Sequence, residues 1–154
     1  VTLSNDALQS ALSQWTDECW LECLTFEHSS LSAPIRLVND RQDLVRTPGT
    51  FTAFPFAVKL HERTEDGFGQ AEIRADGVDQ SLIDDLRSIE HGLTVTYELV
   101  LLSSPNTVEH GPIEFEVRSI VANAGTISLL VAFALNMLGE AHPKDYFAPW
   151  NSAD

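Results

Sequence analysis

The sequence predicts an α+β fold, an antiparallel β-sandwich or barrel-like sheet with an N-terminal helix and one further helix packed on the sheet. Three observations lead there. Leu93–Leu102 and Ile113–Ile120 alternate apolar and polar residues with the period of a half-buried strand. Asp79–Glu90 instead sets Leu82, Ile83, Leu86 and Ile89 on one helical stripe. The order helix, strands, helix, strands fits a sheet covered by a few helices, not a repeating βαβ unit.

From the N-terminus, Ser4–Trp15 reads as a short amphipathic helix, with Leu8, Leu12 and Trp15 on one face and Ser4 or Asn5 as its cap. Trp20–Phe26 mixes aromatic and β-branched residues over strand length, and Ala33–Val38 reads as a second strand with Pro34 at its start. Asn39–Asp43 is a polar turn, and Thr47-Pro48-Gly49 is a turn signal. Phe51–Leu60 is the most aromatic segment, and Pro55 assigns it to an edge or a bulge. His61–Phe68 reads as an exposed loop and Gly69–Ala75 as a strand. The best helix follows, with Asp79 as N-cap and Gly92 just past its end. After the strand at Leu93, Ser103–Thr107 breaks the chain; Ile113–Ile120 then places Phe115 and Val117 opposite Glu114, Glu116 and Arg118. Ala124–Thr126 is a hairpin turn into Ile127–Leu135. The chain divides as one structural domain over 1–154: an N-terminal helix over 1–16, a β-rich core over 17–138 with a helix over 79–91, and an extended tail over 139–154.

A chain of 154 residues buries about 70% of its unfolded surface, so it needs no metal or disulfide staple. No apolar run reaches the roughly 20 residues of a membrane helix. No signal peptide is expected, because the start lacks a basic region and Asp6 falls early; Val1, with Met137 as the only Met, is read as following a removed initiator. Nine Lys and Arg against 23 Asp and Glu give a net charge of −14. That balance opposes binding to phosphate backbones and to anionic membranes, so neither sequence-specific nucleic acid nor membrane is an expected partner.

Motifs for chemistry are sparse. Cys19 and Cys23 are too far apart on one strand for a disulfide, and Glu18 and Glu22 oppose thiolate formation. The histidines at 28, 61, 91, 110 and 142 lack the spacing of a helix-borne zinc site. Asp84 and Asp85 fall on the solvated face of their helix. No nucleophile elbow and no Gly-rich phosphate loop occurs. The expectation is therefore no enzyme, no catalytic or metal residue and no cofactor. The rival reading is a small His/carboxylate-dependent hydrolase or metal-binding enzyme using His28, His61 or His110. The aromatics Phe51, Phe54, Phe56, Tyr146, Phe147 and Trp150 are candidate subunit-interface residues, because they exceed what a monomer of this size needs.

Residues Trp20–Asp40, Gly49–Phe56, Ala71–Asp79 with the following helix, Ser103–Glu109 and Tyr146–Trp150, in this order and spacing, resemble a family of small tailed-phage proteins. The layout is also similar to the first domain of lambda-type minor tail protein L, an upper hub component of the tail tip. The resemblance implies a tail-tube/hub fold and a structural role in a siphophage-type tail tip: a ring joining the tail tube to the distal hub and fibre proteins around the DNA channel. It implies other tail proteins as partners (tube or distal tail ring, hub or fibre protein, tape measure) and a homo-oligomeric ring, trimeric first and hexameric as the alternative. It implies a place at the virion tail tip, with assembly in the bacterial host cytoplasm. The Cys-rich region that holds an iron–sulfur cluster in the lambda-type protein has no counterpart here. In such a ring, Glu62, Glu65 and Asp66 are the first candidates for an acidic lumen that DNA slides past, with Asp84, Asp85, Glu90, Glu114 and Glu116 behind them.

Overall fold

The computed structural model describes residues 4, 5, 7, 8, 18–60, 70–89, 91–123 and 125–133. Nine strands dominate: β1 (Trp20–Glu27), β2 (Ile35–Val38), β3 (Leu44–Arg46), β4 (Gly49–Ala53), β5 (Phe56–Leu60), β6 (Gln70–Asp76), β7 (Thr94–Leu101), β8 (Ser104–Asn123) and β9 (Thr126–Phe133). They form one sheet in the order β3-β4-β2-β1-β7-β8-β9-β6-β5. All pairings are antiparallel except β2 with β4. One helix, α1 (Gln80–Arg87), interrupts the strands.

The fold is therefore mostly β, which corrects the predicted α+β class. The predicted helix over 79–91 is two turns long, over Gln80–Arg87; Asp79 has the extended backbone of an N-cap but its side chain makes no capping bond. Of the predicted N-terminal helix over 1–16, only Asn5, Ala7 and Leu8 are described in helical conformation, with Leu8 N–H bonded to the Ser4 carbonyl at 2.9 Å. Two strands lie where none was predicted. Leu44–Arg46, between the two turn signals, is β3, and Ser104–Thr107, read as a break, opens β8. Phe51–Leu60 is two strands that part at Phe54-Pro55.

That break explains the architecture. One run of chain pairs with β2 through its first half and with β6 through its second, so it lies at both ends of the sheet order. The sheet therefore curls, and apolar residues of β1 and β2 (Leu24, Phe26, Leu37) meet those of β5, β6 and β9 (Phe56, Ile73, Leu129) in one core. Helix α1 adds Ile83 and Leu86 to this core. At the end of β4, Phe54 N–H donates to the Val38 carbonyl at 2.9 Å, extending the β2–β4 pairing past Ala53.

A second core lies on the opposite face of β1. Leu21 and Cys23 point away from Leu24 and Phe26, as the two-residue period of a strand requires, and they pack with Val38, Leu44, Phe51 and Val100. The β3–β4 hairpin covers them, tied down by Asp43, whose carboxylate accepts from Ala53 N–H at 2.7 Å, and by Asn106, whose carbonyl oxygen accepts from Thr47 N–H at 2.8 Å. Both faces of β1 thus carry buried apolar residues, and its sequence, WLECLTFE, does not alternate cleanly. Strand β8 bends at Gly111, where pairing with β7 shifts register. Its φ is +98° and an added Cβ would lie 2.7 Å from the Tyr97 carbonyl oxygen, so only glycine fits there.

Candidate functional site

Strand alternation sorts the connections between two rims. Strands β5 and β9 end, and β1 and β6 begin, at one rim. The other carries the turn after β1, helix α1 and the β8–β9 turn, stitched by Gly77 N–H to the Gly125 carbonyl at 2.7 Å. At this second rim lies a cleft of about 210 Å³ lined by Arg87, Ile89, His91, Leu93, Val117, Arg118, Ser119 and Ile120. Its floor is apolar, with Ile89 and Leu93 buried, and its edges are cationic.

Each rim residue has a local cause. Arg87 closes the last turn of α1, where a cation suits the helix dipole, and its Nη2 donates to the Ala122 carbonyl at 2.6 Å. No carboxylate among the described residues pairs with it. Arg118 is the extra residue where β8 slips register against β9 between Val117 and Ser119, so its side chain stands out of the ladder. It reaches Glu116 at 3.2 Å, with both side chains about half exposed. His91 is held by His28. Ser30 N–H donates to His28 Nδ1 at 3.0 Å, which leaves Nε2 as the donor to the His91 carbonyl, also at 3.0 Å. Two guanidiniums above an apolar floor can hold a carboxylate-bearing segment.

Two polar networks lie elsewhere. Arg46, 7% exposed, reaches Glu98 at 2.7 Å under the β3–β4 hairpin and stacks over Phe51 at 5.2 Å; its Nε is buried without a partner. Burial pushes the neighbouring Cys23 thiol up from its ordinary value, partly offset by Arg46. On the other face Tyr97 donates to Glu22 at 3.1 Å, and Asn39 donates to the same carboxylate at 2.9 Å. Burial and the Glu22 charge push the Tyr97 phenol well above its usual range. Glu109, 1% exposed, accepts from Ser4 N–H at 3.0 Å and Ser4 Oγ–H at 2.7 Å, anchoring the N-terminal turn to β8.

The candidate residues read from sequence separate widely. Phe51 is 1% exposed in the second core and Phe56 is buried in the first, with Phe54 packed half-buried against it. Their side chains fill this chain's own interior. Tyr146, Phe147, Trp150, Glu62, Glu65 and Asp66 lie outside the described residues, as do His61, Glu90 and His142. Asp84, Asp85 and Glu114 are exposed. The histidines proposed for a hydrolase do not converge. His28 follows β1, whereas His110 pairs with Leu99, whose β1 partner Glu22 is six residues away, about 20 Å along the strand. Among the described residues no group of three or more His, Cys, Asp and Glu could hold a metal ion. Cys19 is exposed, and Cys23 is buried in β1. The Arg87–Arg118 cleft was not legible from sequence, because its two halves are 31 positions apart and a bulge aims one of them.

A search of curated proteins finds no match. Among solved structures, the fold is similar to that of a chain in a structure titled "Virion of native gene transfer agent (GTA) particle", with a TM-score of 0.61 and 13% sequence identity. The likeness covers 90% of this chain and 48% of that one, so the chain spans about half the length of its structural relative. At this identity the likeness speaks for the curled sheet alone. Sequence carries the family: residues 6–147 match one family profile, nearly the whole chain, and the protein belongs to that family, described as a domain of unknown function, DUF1833.

Proposed function

We propose that the protein is a non-enzymatic structural component of a phage-like particle, placed in a siphophage-type tail tip. It forms a ring that links the tail tube to the distal hub and fibre proteins around the DNA channel. The observation that carries this reading is the fold shared over 90% of the chain with a component of a gene transfer agent virion. The order of motifs shared with small tailed-phage proteins, and with the first domain of lambda-type minor tail protein L, supports the finer placement at the tip.

In this reading the ring is trimeric, with six-fold symmetry as the alternative, and assembles in the host cytoplasm. Glu62, Glu65 and Asp66 fall between β5 and β6 in the sequence, and Tyr146, Phe147 and Trp150 follow β9. The acidic set is proposed to line the channel and the aromatic set to meet neighbouring subunits. Phe51 and Phe56, used in the two cores, support the fold under such contacts.

The test is cryo-electron microscopy of purified particles from a producing strain, with mass spectrometry of their proteins. The expected result is this chain as a closed ring at the tail end, with carboxylates on the channel wall. Its absence from the particles refutes the reading; a neutral or basic wall refutes the acidic lumen alone.

A further inference from the structure

We propose that the cleft between helix α1 and the β8 bulge is the joint through which copies of this chain bind one another, taking a carboxylate-bearing surface of a second copy. The inference rests on the ring reading above and adds the chemistry of its contact. Copies that each carry −14 repel one another, so association is electrostatically favoured only where a cation faces out, either unpaired or in a loose exposed pair. Arg46 is buried against Glu98, Arg36 lies half-buried beside Gly49, and Arg74 meets Asp76 at 3.6 Å in an exposed pair on its own strand. Arg41 and Lys59 are exposed singly.

Among the described residues, Arg87 and Arg118 bring two guanidiniums to one cleft. Arg87 is fixed at one nitrogen by the Ala122 carbonyl, so its fork is oriented, and its remaining N–H groups have no carboxylate among the described residues. Arg118 is held by Glu116 in an exposed pair of the kind that contributes little, and it can exchange that partner for a better one. His91 completes the edge. The floor of Ile89, Leu93 and Ile120 gives apolar contact beneath the charges. A second copy supplies the complement, since exposed carboxylates are spread over the rest of its surface. The cleft and that surface are different patches, so the contact is heterologous, the type that closes rings when the rotation permits.

The experiment is sedimentation velocity of the full chain at 50 mM and 500 mM NaCl, for the natural protein and for Arg87→Glu, Arg118→Glu and Arg41→Glu, the last as an exposed cation outside the cleft. Circular dichroism confirms that each variant is folded, and Arg87→Gln serves if Arg87→Glu is not. The expected result is self-association weakened at least tenfold by the higher salt and at least tenfold by either cleft variant at 50 mM, with Arg41→Glu like the natural protein. Assembly that is indifferent to Arg87 and Arg118 overturns the joint and leaves the ring reading standing. A chain that stays monomeric at both salts overturns the joint; absence from purified particles is what would remove the ring reading.

Discussion

Replacing Glu98 by Ala strands the charge of Arg46. The Arg46 side chain is 4% exposed and that of Glu98 17%, so the guanidinium depends on this carboxylate while the carboxylate retains some water. Arg46 Nε is already buried without a partner, which leaves nothing in reserve. Removing one member of a buried pair costs about 3–5 kcal/mol, and the residual hydration at Glu98 places Glu98→Ala near the lower end, about 3 kcal/mol. Arg46→Met is a different perturbation. It puts an apolar chain of similar length among Leu21, Cys23, Val38 and Phe51, leaving Glu98 to turn toward solvent. It forfeits the stacking on Phe51, worth about 2 kcal/mol in a desolvated site, but removes the buried charge and its desolvation cost, and should cost less overall than Glu98→Ala. The double variant should be no worse than Glu98→Ala alone. Urea unfolding followed by tryptophan fluorescence measures all three. Equal losses for the two single variants, or a loss under about 0.5 kcal/mol for Glu98→Ala, would refute the argument that charge burial governs this site.

Three other outcomes are expected. Gly111→Ala should cost more than about 2 kcal/mol, because its Cβ meets the Tyr97 carbonyl oxygen at 2.7 Å, whereas Gly125→Ala, with φ +77° and open space, should cost about 1 kcal/mol; thermal unfolding ranks them. The Tyr97 phenol is harder to ionise in the folded chain, so above about pH 10 the unfolded state releases a proton that the folded state keeps. Stability should therefore fall with rising pH by up to about 1.4 kcal/mol per unit, and Tyr97→Phe should remove that part of the slope in urea titrations between pH 9 and pH 11. A thiol reagent at pH 8 should label Cys19 quickly and Cys23 only on unfolding, as peptide mass spectrometry would show.

Strands whose two faces see different solvents were legible in the sequence. Val95 and Phe115 pair inside the curled sheet while Thr94 and Glu116 pair outside, and the alternation registers that difference. The fold class was misjudged where punctuating residues sit inside strands. Pro105 and Asn106 read as a break, yet they lie in the part of β8 that pairs only with β7, where a missing N–H costs no ladder bond on the free side. Strand β3 is three residues long and turns Leu44 and Arg46 inward, a pattern that looks polar until a buried arginine is found under a hairpin. Curling the sheet creates two interiors, and Phe51 and Phe56 fill one each, which no local pattern distinguishes from an exposed aromatic segment. The basic cleft required a helix end and a strand irregularity to meet, and no local pattern encodes that meeting.

The join at Phe54-Pro55 gives the sheet the mechanics of a split tube. Most of its circumference is stitched by ladders of backbone bonds that resist widening together. At the join the described wall is continuous through the covalent chain at Phe54-Pro55, while the bond from Phe54 to Val38 extends the β2–β4 pairing. Hoop stress concentrates at such a slit, and girth there changes by hinging about two residues instead of breaking a ladder. A chain built this way can change its girth at the slit while its strand registers stay fixed.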